Sequence, residues 1–146
     1  MAVGSHLAGR AIDISKTTAA HALSYGITSR YRVSHGHAAA LTLGAFIEEH
    51  STADPSRLHR SVEVDAFAAA MESILRALGA DSGAAARERL IALMNDIGLA
   101  TRLSAITAAL PDAAARLAAS VNVERLGNNP VRFNADELER IVRTAV

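Results

Sequence analysis

Cysteine is absent from this chain, and its absence excludes several kinds of chemistry at once. The 146 residues include no Cys and no Trp, and only three are Pro. Without thiols the chain can form neither disulfides nor thiolate metal sites, and it has no cysteine nucleophile. This composition is compatible with a reducing compartment, so we expect a cytoplasmic protein.

Net charge is missing as well, because 15 basic residues balance 15 acidic ones. A neutral chain has no broad positive field to hold nucleic acid or an anionic membrane by charge. The sequence has no apolar run long enough to cross a bilayer, and its first residues lack the pattern of a secretory signal. We therefore expect neither nucleic acid nor a membrane as a partner.

Aromatic residues are scarce, at 3% of the chain, whereas hydrophobic residues make up 50% of it. Alanine is abundant, and an alanine-rich, proline-poor chain favours closely packed helices over strands. The length is that of a single domain with one core. The sequence thus predicts an all-α fold, a single helical bundle of six to eight helices over residues 1–146, with no internal repeat.

In the first third of the chain, apolar spacing predicts the helices only coarsely. Residues 5–25 should form one bent helix or two short ones, because a polar interruption around Lys16 blurs the pattern. Residues 26–34 have the composition of a polar, Arg-rich connector. Residues 36–50, rich in Ala and Leu, should form the next helix.

The middle of the chain carries the clearest helical signals. Apolar residues recur every three or four positions from Val64 until Gly79 supplies a stop. Asp81 or Ser82 can cap the following helix, which Gly98 should end. We expect these two helices to pack together as a hairpin.

The last third shows shorter segments. A short helix is predicted over residues 103–110, and Pro111 suits the first turn of another that runs to about residue 121. Residues 128–130 read as a turn. Asn134 followed by Glu137 is typical of the cap of a final helix that extends through about residue 142.

Histidine is the residue type in this chain most suited to binding a metal or transferring a proton. The chain has six, at His6, His21, His35, His37, His50 and His59. Two imidazoles, one from a helix end and one from the start of the next helix, can converge on one divalent transition metal ion. His21 and His35 fit that arrangement, although their spacing is equally consistent with unrelated polar residues at two helix ends.

A complete metal site needs three or four protein ligands. No Asp or Glu lies four residues before any His, and the pairs His50 with Asp54 and His59 with Glu63 have the reverse order around Pro55. That order favours solvated charges in a loop and at a helix edge.

Other polar residues give weaker signals. Lys16 is the single lysine, either a functional cation or, as we favour, a solvated charge. The run of Arg30, Tyr31 and Arg32 could hold an anionic group or simply belong to an exposed connector, and we favour the connector. A GxGxxG fingerprint is absent, so we expect no nucleotide-binding half within this chain.

The stretch from Ile14 to Leu41 resembles the C-terminal helical domain of the iron-containing alcohol dehydrogenase family. In that family two His, fourteen residues apart, bind the catalytic divalent metal, and the second is followed by Gly. His21 and His35 fall on those positions. The His-Gly-His form that ends at His37, with Tyr25 four residues after the first ligand, is similar to the branch that includes phosphonoacetaldehyde reductases. The likeness continues through residues 93–99, 121–126 and 128–130.

The resemblance implies a fold, a chemistry and missing parts. Full-length members of the family have an N-terminal α/β domain that binds NAD(P), and an earlier helix whose Asp and His complete the metal shell. By this resemblance the chain starts after both, so NAD(P) would enter only through a missing domain. The implied reaction is hydride transfer between NAD(P)H and a small aldehyde or alcohol, with Fe²⁺ or Zn²⁺ as Lewis acid.

The resemblance also assigns residues and partners. His21 and His35 would be metal ligands, and His37 and Tyr25 would contact substrate or relay a proton, unless they make only ordinary hydrogen bonds at helix ends. Alone the chain should be inactive, and a separate nucleotide-binding chain would complete it. The alternatives are a non-catalytic helical scaffold or interaction module that forms homo-oligomers through an exposed apolar face, and a truncated gene fragment.

Overall fold

The fold is known from a computed structural model, which describes residues 2–108, 112–121 and 126–146. Within these ranges the chain forms seven α-helices and no strand, with one isolated β-bridge between Leu58 and Val131. The predicted all-α fold is therefore confirmed. The helices are α1 (Ala2–Ser15), α2 (Ala19–Tyr31), α3 (His35–Ser51), α4 (Val64–Ala77), α5 (Gly83–Asp96), α6 (Ala113–Ala119) and α7 (Ala135–Arg143), with 3₁₀ turns at Pro55–Arg57 and Leu103–Ala105.

The first predicted segment is two helices rather than one bent helix. Helix α1 ends at Ser15, and the next residue, Lys16, has a left-handed backbone with φ 62°. That conformation breaks the helical path and turns the chain toward α2. All of α1 lies in the described part of the chain, and none of its residues is buried. Lys16 is exposed too, as a solvated charge would be.

Helix α2 is longer than the sequence pattern indicates. The predicted connector over residues 26–34 is wrong in its first part, because the helix continues to Tyr31. Its last turns place Ile27 in the core, while Ser29 and Arg30 face solvent. Because most residues of these turns are polar and exposed, their composition is that of a loop although they are helical. The remaining connector is short. Arg32 adopts a left-handed conformation with φ 55° and donates its N–H to the carbonyl of Thr28, which ends the helix.

Helix α3 forms close to its predicted bounds and packs against both α2 and α5. The contact with α5 is tight because glycine faces it from both helices. A Cβ added at Gly83 would lie 2.8 Å from the Cα of Glu48, and one at Gly44 would lie 3.3 Å from the Cα of Arg87. An ion pair of 2.8 Å between Arg87 and Glu48 spans the same contact.

The expected hairpin of α4 and α5 is looser than this α3–α5 contact. Helix α4 begins at Val64, and the chain turns at Gly79 with φ 63°, as predicted. Ser82 caps α5 by accepting a hydrogen bond from the backbone N–H of Ala85. Met71 of α4 joins a small cluster with residues of α3 and α5. Small residues let α5 approach α3 more closely, so α3 is its main partner.

The C-terminal segments close the main core. The helix predicted over residues 103–110 is only a 3₁₀ turn at Leu103–Ala105, and part of that range, with Pro111, lies outside the described residues. Residues 122–125 also lie outside them. Helix α7 starts with the predicted capping box, in which Asn134 and Glu137 exchange side-chain-to-backbone hydrogen bonds. Helices α6 and α7 pack together and bury Leu117, Ile141 and Val142 with the residues of α2.

One prediction about a histidine is wrong. His50 was expected among solvated charges, but it is buried near the C-terminal end of α3, with its ring stacked on Phe133 at a centroid distance of 5.8 Å. Burial lowers the pKa of His50 from 6.5 to about 4, so the ring is neutral. Asp54 is exposed as expected, and its carboxylate caps the first 3₁₀ turn by accepting the N–H of Ser56. Hydrogen bonds from the side chain and then from the backbone of Ser56 lower the pKa of this carboxyl.

Among the described residues, no helix combines the length and the apolar character that a membrane crossing requires.

Candidate metal centre

The short connector between α2 and α3 brings the two predicted ligands together. After the left-handed turn at Arg32 the chain runs back along α2, and Val33 inserts into the core. His35, the first residue of α3, therefore lies beside the first half of α2 rather than at its end. Its Nε2 is 3.3 Å from Nδ1 of His21, across fourteen residues of sequence.

Hydrogen bonds around the two imidazoles run in one direction. Ser24 donates its hydroxyl proton to the carbonyl oxygen of His21 at 2.7 Å, so its oxygen accepts from Nδ1–H of His35 at 3.2 Å. A neutral His35 then has an unprotonated Nε2, which accepts from Nδ1–H of His21. Nε2 of His21 in turn accepts from the hydroxyl of Tyr25 at 3.1 Å. These tautomers follow from the network of donors and acceptors.

Three rings form a compact group at this point. The ring centroids of His21 and His35 are 4.6 Å apart, and that of Tyr25 is 5.2 Å from His21 and 5.1 Å from His35. Ser24 beneath them is fully buried, whereas Tyr25 is 45% exposed and His35 is exposed. The group therefore has a fixed, buried side and a side that solutes can reach.

The geometry of the pair suits a divalent cation. In a tetrahedral site with Zn–N bonds of about 2.0–2.1 Å, two ligand nitrogens lie about 3.3 Å apart, which is the separation of the two imidazole nitrogens here. To bind an ion, Nδ1 of His21 would give up its proton, and the ring would carry its one proton on Nε2, where the hydroxyl oxygen of Tyr25 can accept it. Ser24 accepts the other ring N–H of His35, as outer-shell groups do for ligating histidines. The described residues contain no group of three or more His, Asp, Glu or Cys that could hold a metal. Any ion held by His21 and His35 would therefore need further ligands.

Of the four residues predicted for the site, the structure joins three. His21, Tyr25 and His35 form the ring group, while His37 directs its Nε2 to the carbonyl oxygen of Ala100 at 2.7 Å. Sequence reasoning missed Ser24. Its position three residues after His21 was the available signal, since that spacing shares a helix face.

The residues do not fit a nicotinamide cofactor in the same way. A dinucleotide site of the common type needs a strand followed by a glycine-rich loop and a helix. In residues 2–108, 112–121 and 126–146 no strand is present to begin such a unit. We therefore derive no step through NAD(P).

Comparison with known proteins decides the family. Residues 1–146 match the Fe-containing alcohol dehydrogenase family, C-terminal. The chain belongs to this family. As a member of the Fe-containing alcohol dehydrogenases, it falls within an oxidoreductase family, and the expected resemblance is confirmed over its whole length.

One curated relative of this chain is the phosphonoacetaldehyde reductase of Streptomyces viridochromogenes. The two are 32% identical over 146 aligned residues, which cover 94% of this chain and 34% of the reductase. The chain thus spans about a third of the length of that relative. No solved structure matches it.

Proposed function

We propose that this chain is the metal-binding helical part of an NAD(P)-dependent alcohol or aldehyde oxidoreductase, with His21 and His35 as two ligands of Fe²⁺ or Zn²⁺. The observation that carries the proposal is the 3.3 Å separation of their ring nitrogens, at the two positions that the resemblance assigns to the family's metal-binding His. An ion held there would polarise the carbonyl oxygen of an aldehyde. The other ligands and the nucleotide domain would come from residues beyond the pair, on another segment or another chain.

The remaining site residues would act on substrate and protons. Tyr25 lies at the open side of the group with its hydroxyl on Nε2 of His21, so it can exchange a proton with that nitrogen or donate to a substrate oxygen. His37 uses Nε2–H on Ala100, which leaves Nδ1 as the atom for a substrate contact. Ser24 orients the His35 ring so that the lone pair on Nε2 of His35 points toward His21.

The proposal is tested by titrating the purified chain with Zn²⁺ and, without oxygen, with Fe²⁺. The double variant His21→Ala/His35→Ala should lose binding. A matched double variant, His6→Ala/His59→Ala, removes two histidines outside the site and should keep it. Equal binding by both double variants would show that the ion sits elsewhere, and an unmodified chain that binds no ion would contradict the proposal.

A second candidate function is a homo-oligomeric helical module, and exposed apolar surface favours it. In α1, Val3, Leu7 and Ile14 are 75%, 56% and 83% exposed. A cleft of about 720 Å³ between α3 and α4 is lined mostly by apolar side chains such as Leu43 and Ile74. An isolated helix of 14 residues is marginal in water, so the α1 stripe of a second copy is a fitting occupant.

Sedimentation at micromolar concentrations tests this second candidate. The unmodified chain should form dimers that Leu7→Glu dissociates, while Ser5→Glu, an exposed polar change on the opposite face of the same helix, should leave them intact. A monomeric chain at these concentrations would refute self-association through α1.

A further inference from the structure

A buried asparagine far along the chain is bonded to the start of the helix that carries His21. Asn129 is 1% exposed, and its Oδ1 accepts the backbone N–H of Ala19 at 3.3 Å, across 110 residues of sequence. Its Nδ2 donates to the carbonyl oxygen of Val131 at 2.7 Å and lies 3.1 Å from Nε2 of His50. An amide Nδ2 can only donate, so Nε2 of the neutral His50 ring accepts its second proton, and the ring carries its own proton on Nδ1. The asparagine side chain is thus fully hydrogen-bonded.

The bond to Ala19 does the work of a missing helix cap. The first four N–H groups of an α-helix have no partner within the helix, and a side chain at the N-cap position commonly accepts one of them. Thr18 occupies that position in α2, and in the described structure its side chain makes no capping hydrogen bond. Asn129 accepts the N–H of the first helical residue instead.

The start of α2 needs this support because the preceding segment offers little. Helix α1, described in full, buries none of its residues, and the left-handed residue Lys16 separates it from α2. Helix ends fray where nothing holds them. His21 lies two residues after Ala19, in the first turn of α2, and its ring must stay within about 0.5 Å of its position for a functional geometry.

We propose that Asn129 is a positioning residue that caps α2 from a distance and thereby holds His21 against His35. This inference deepens the proposed function, and the effect of Asn129 on metal binding rests on that proposed function. The pairing of the two rings is, however, a property of the chain without metal. The same asparagine also reaches the end of α3 through His50, but the capping role rests on its bond to Ala19 alone.

The primary test reads the ring pair by nitrogen-15 NMR of the histidines without metal. Asn129→Ala should abolish the signature of an Nδ1–H donor on His21 bonded to Nε2 of His35. His50→Leu is the matched control, because it also breaks the buried network but leaves the bond from Asn129 to Ala19. It should keep the signature.

A second-site variant separates capping from general packing. Thr18→Asn places a local cap at the start of α2, so the double variant Thr18→Asn/Asn129→Ala should regain the ring signature without regaining the bonds to His50 and Val131. In Zn²⁺ titrations, Asn129→Ala should bind about tenfold more weakly than the unmodified chain, as when an outer-shell partner is removed. The double variant should recover most of that loss.

The outcomes separate the two proposals. If the unmodified chain binds no ion but Asn129→Ala loses the ring signature, the proposed function fails and the positioning role stands. If the signature and the Zn²⁺ affinity survive in Asn129→Ala, the positioning role is overturned. Should Asn129→Ala not fold, hydrogen exchange of the unmodified chain decides: the Ala19 amide should exchange as slowly as that of Leu23, and exchange at the rate of a frayed helix end would overturn the inference.

Discussion

Acidification should destabilise this protein by protonating one buried side chain, His50. The native ring is neutral because burial lowers its pKa to about 4, whereas in the unfolded chain it titrates near 6.5. Between these values the unfolded state binds the proton and the native state does not. The contribution of the neutral His50 ring to the free energy of unfolding is therefore complete above pH 6.5, and it is lost as the pH drops toward 4.

The size of the effect follows from the two pKa values. Each unit of difference corresponds to about 1.4 kcal/mol, so a shift from 6.5 to about 4 removes about 3 kcal/mol of stability. That loss is a large fraction of the 5–15 kcal/mol typical of a folded domain. Arg57 acts in the same direction, because its positive charge disfavours a second cation on the nearby ring.

Urea unfolding followed by circular dichroism at pH 7.5, 6.5, 5.5 and 4.5 measures the loss. The control is His50→Gln, which keeps an acceptor for Asn129 but does not titrate. Its stability should fall by about 2–3 kcal/mol less over this range than that of the unmodified chain. The other five histidines are present in both proteins, so their contribution cancels. Equal losses in the two proteins would refute the argument from burial.

Three further changes test the packing, a cap and the site. Gly83→Ala should lower stability by about 1–3 kcal/mol in urea unfolding, because its Cβ meets the Cα of Glu48 at 2.8 Å, whereas Gly9→Ala, in open space, should not lower it. Asn134→Ala removes the capping box of α7 and should lower the unfolding free energy by about 1 kcal/mol; an unchanged urea midpoint would contradict that role. Ser24→Ala removes the partner of the His35 ring and should weaken Zn²⁺ binding about tenfold in titrations, with unaltered affinity as the contrary result.

Local signals were the part of the fold that the sequence could predict. The repeat from Val64, the stop at Gly79 and the box that starts at Asn134 each depend on residues within one or two turns, so the pattern contains them in full. The end of α2 depends on tertiary contact instead. The helix continues through Ile27 because this side chain packs into the core, and the residues next to it in sequence do not predict that contact.

The residues of the candidate site also fall into those that the sequence could predict and those that it could not. The meeting of His21 and His35 could be predicted because the resemblance gives both positions and their separation, while their role as ligands stays a prediction. Ser24 offered only its spacing from His21 as a signal, and Asn129 offered none, since an Asn in a turn is ordinary until the atoms opposite it are known. The burial of His50 also depends on rings brought from α4 and from the segment before α7.

Helix α1 has a consequence for how the chain can be rebuilt. Since it buries no residue of its fully described length and ends at a sharp bend, the rest of the bundle is assembled without it. Whatever is joined ahead of Thr18 can be exchanged, shortened or cleaved while the core keeps its contacts. The junction before α2 is therefore the place where another domain could be attached with least disturbance. The position of the helix that carries His21 would not depend on which domain is attached there.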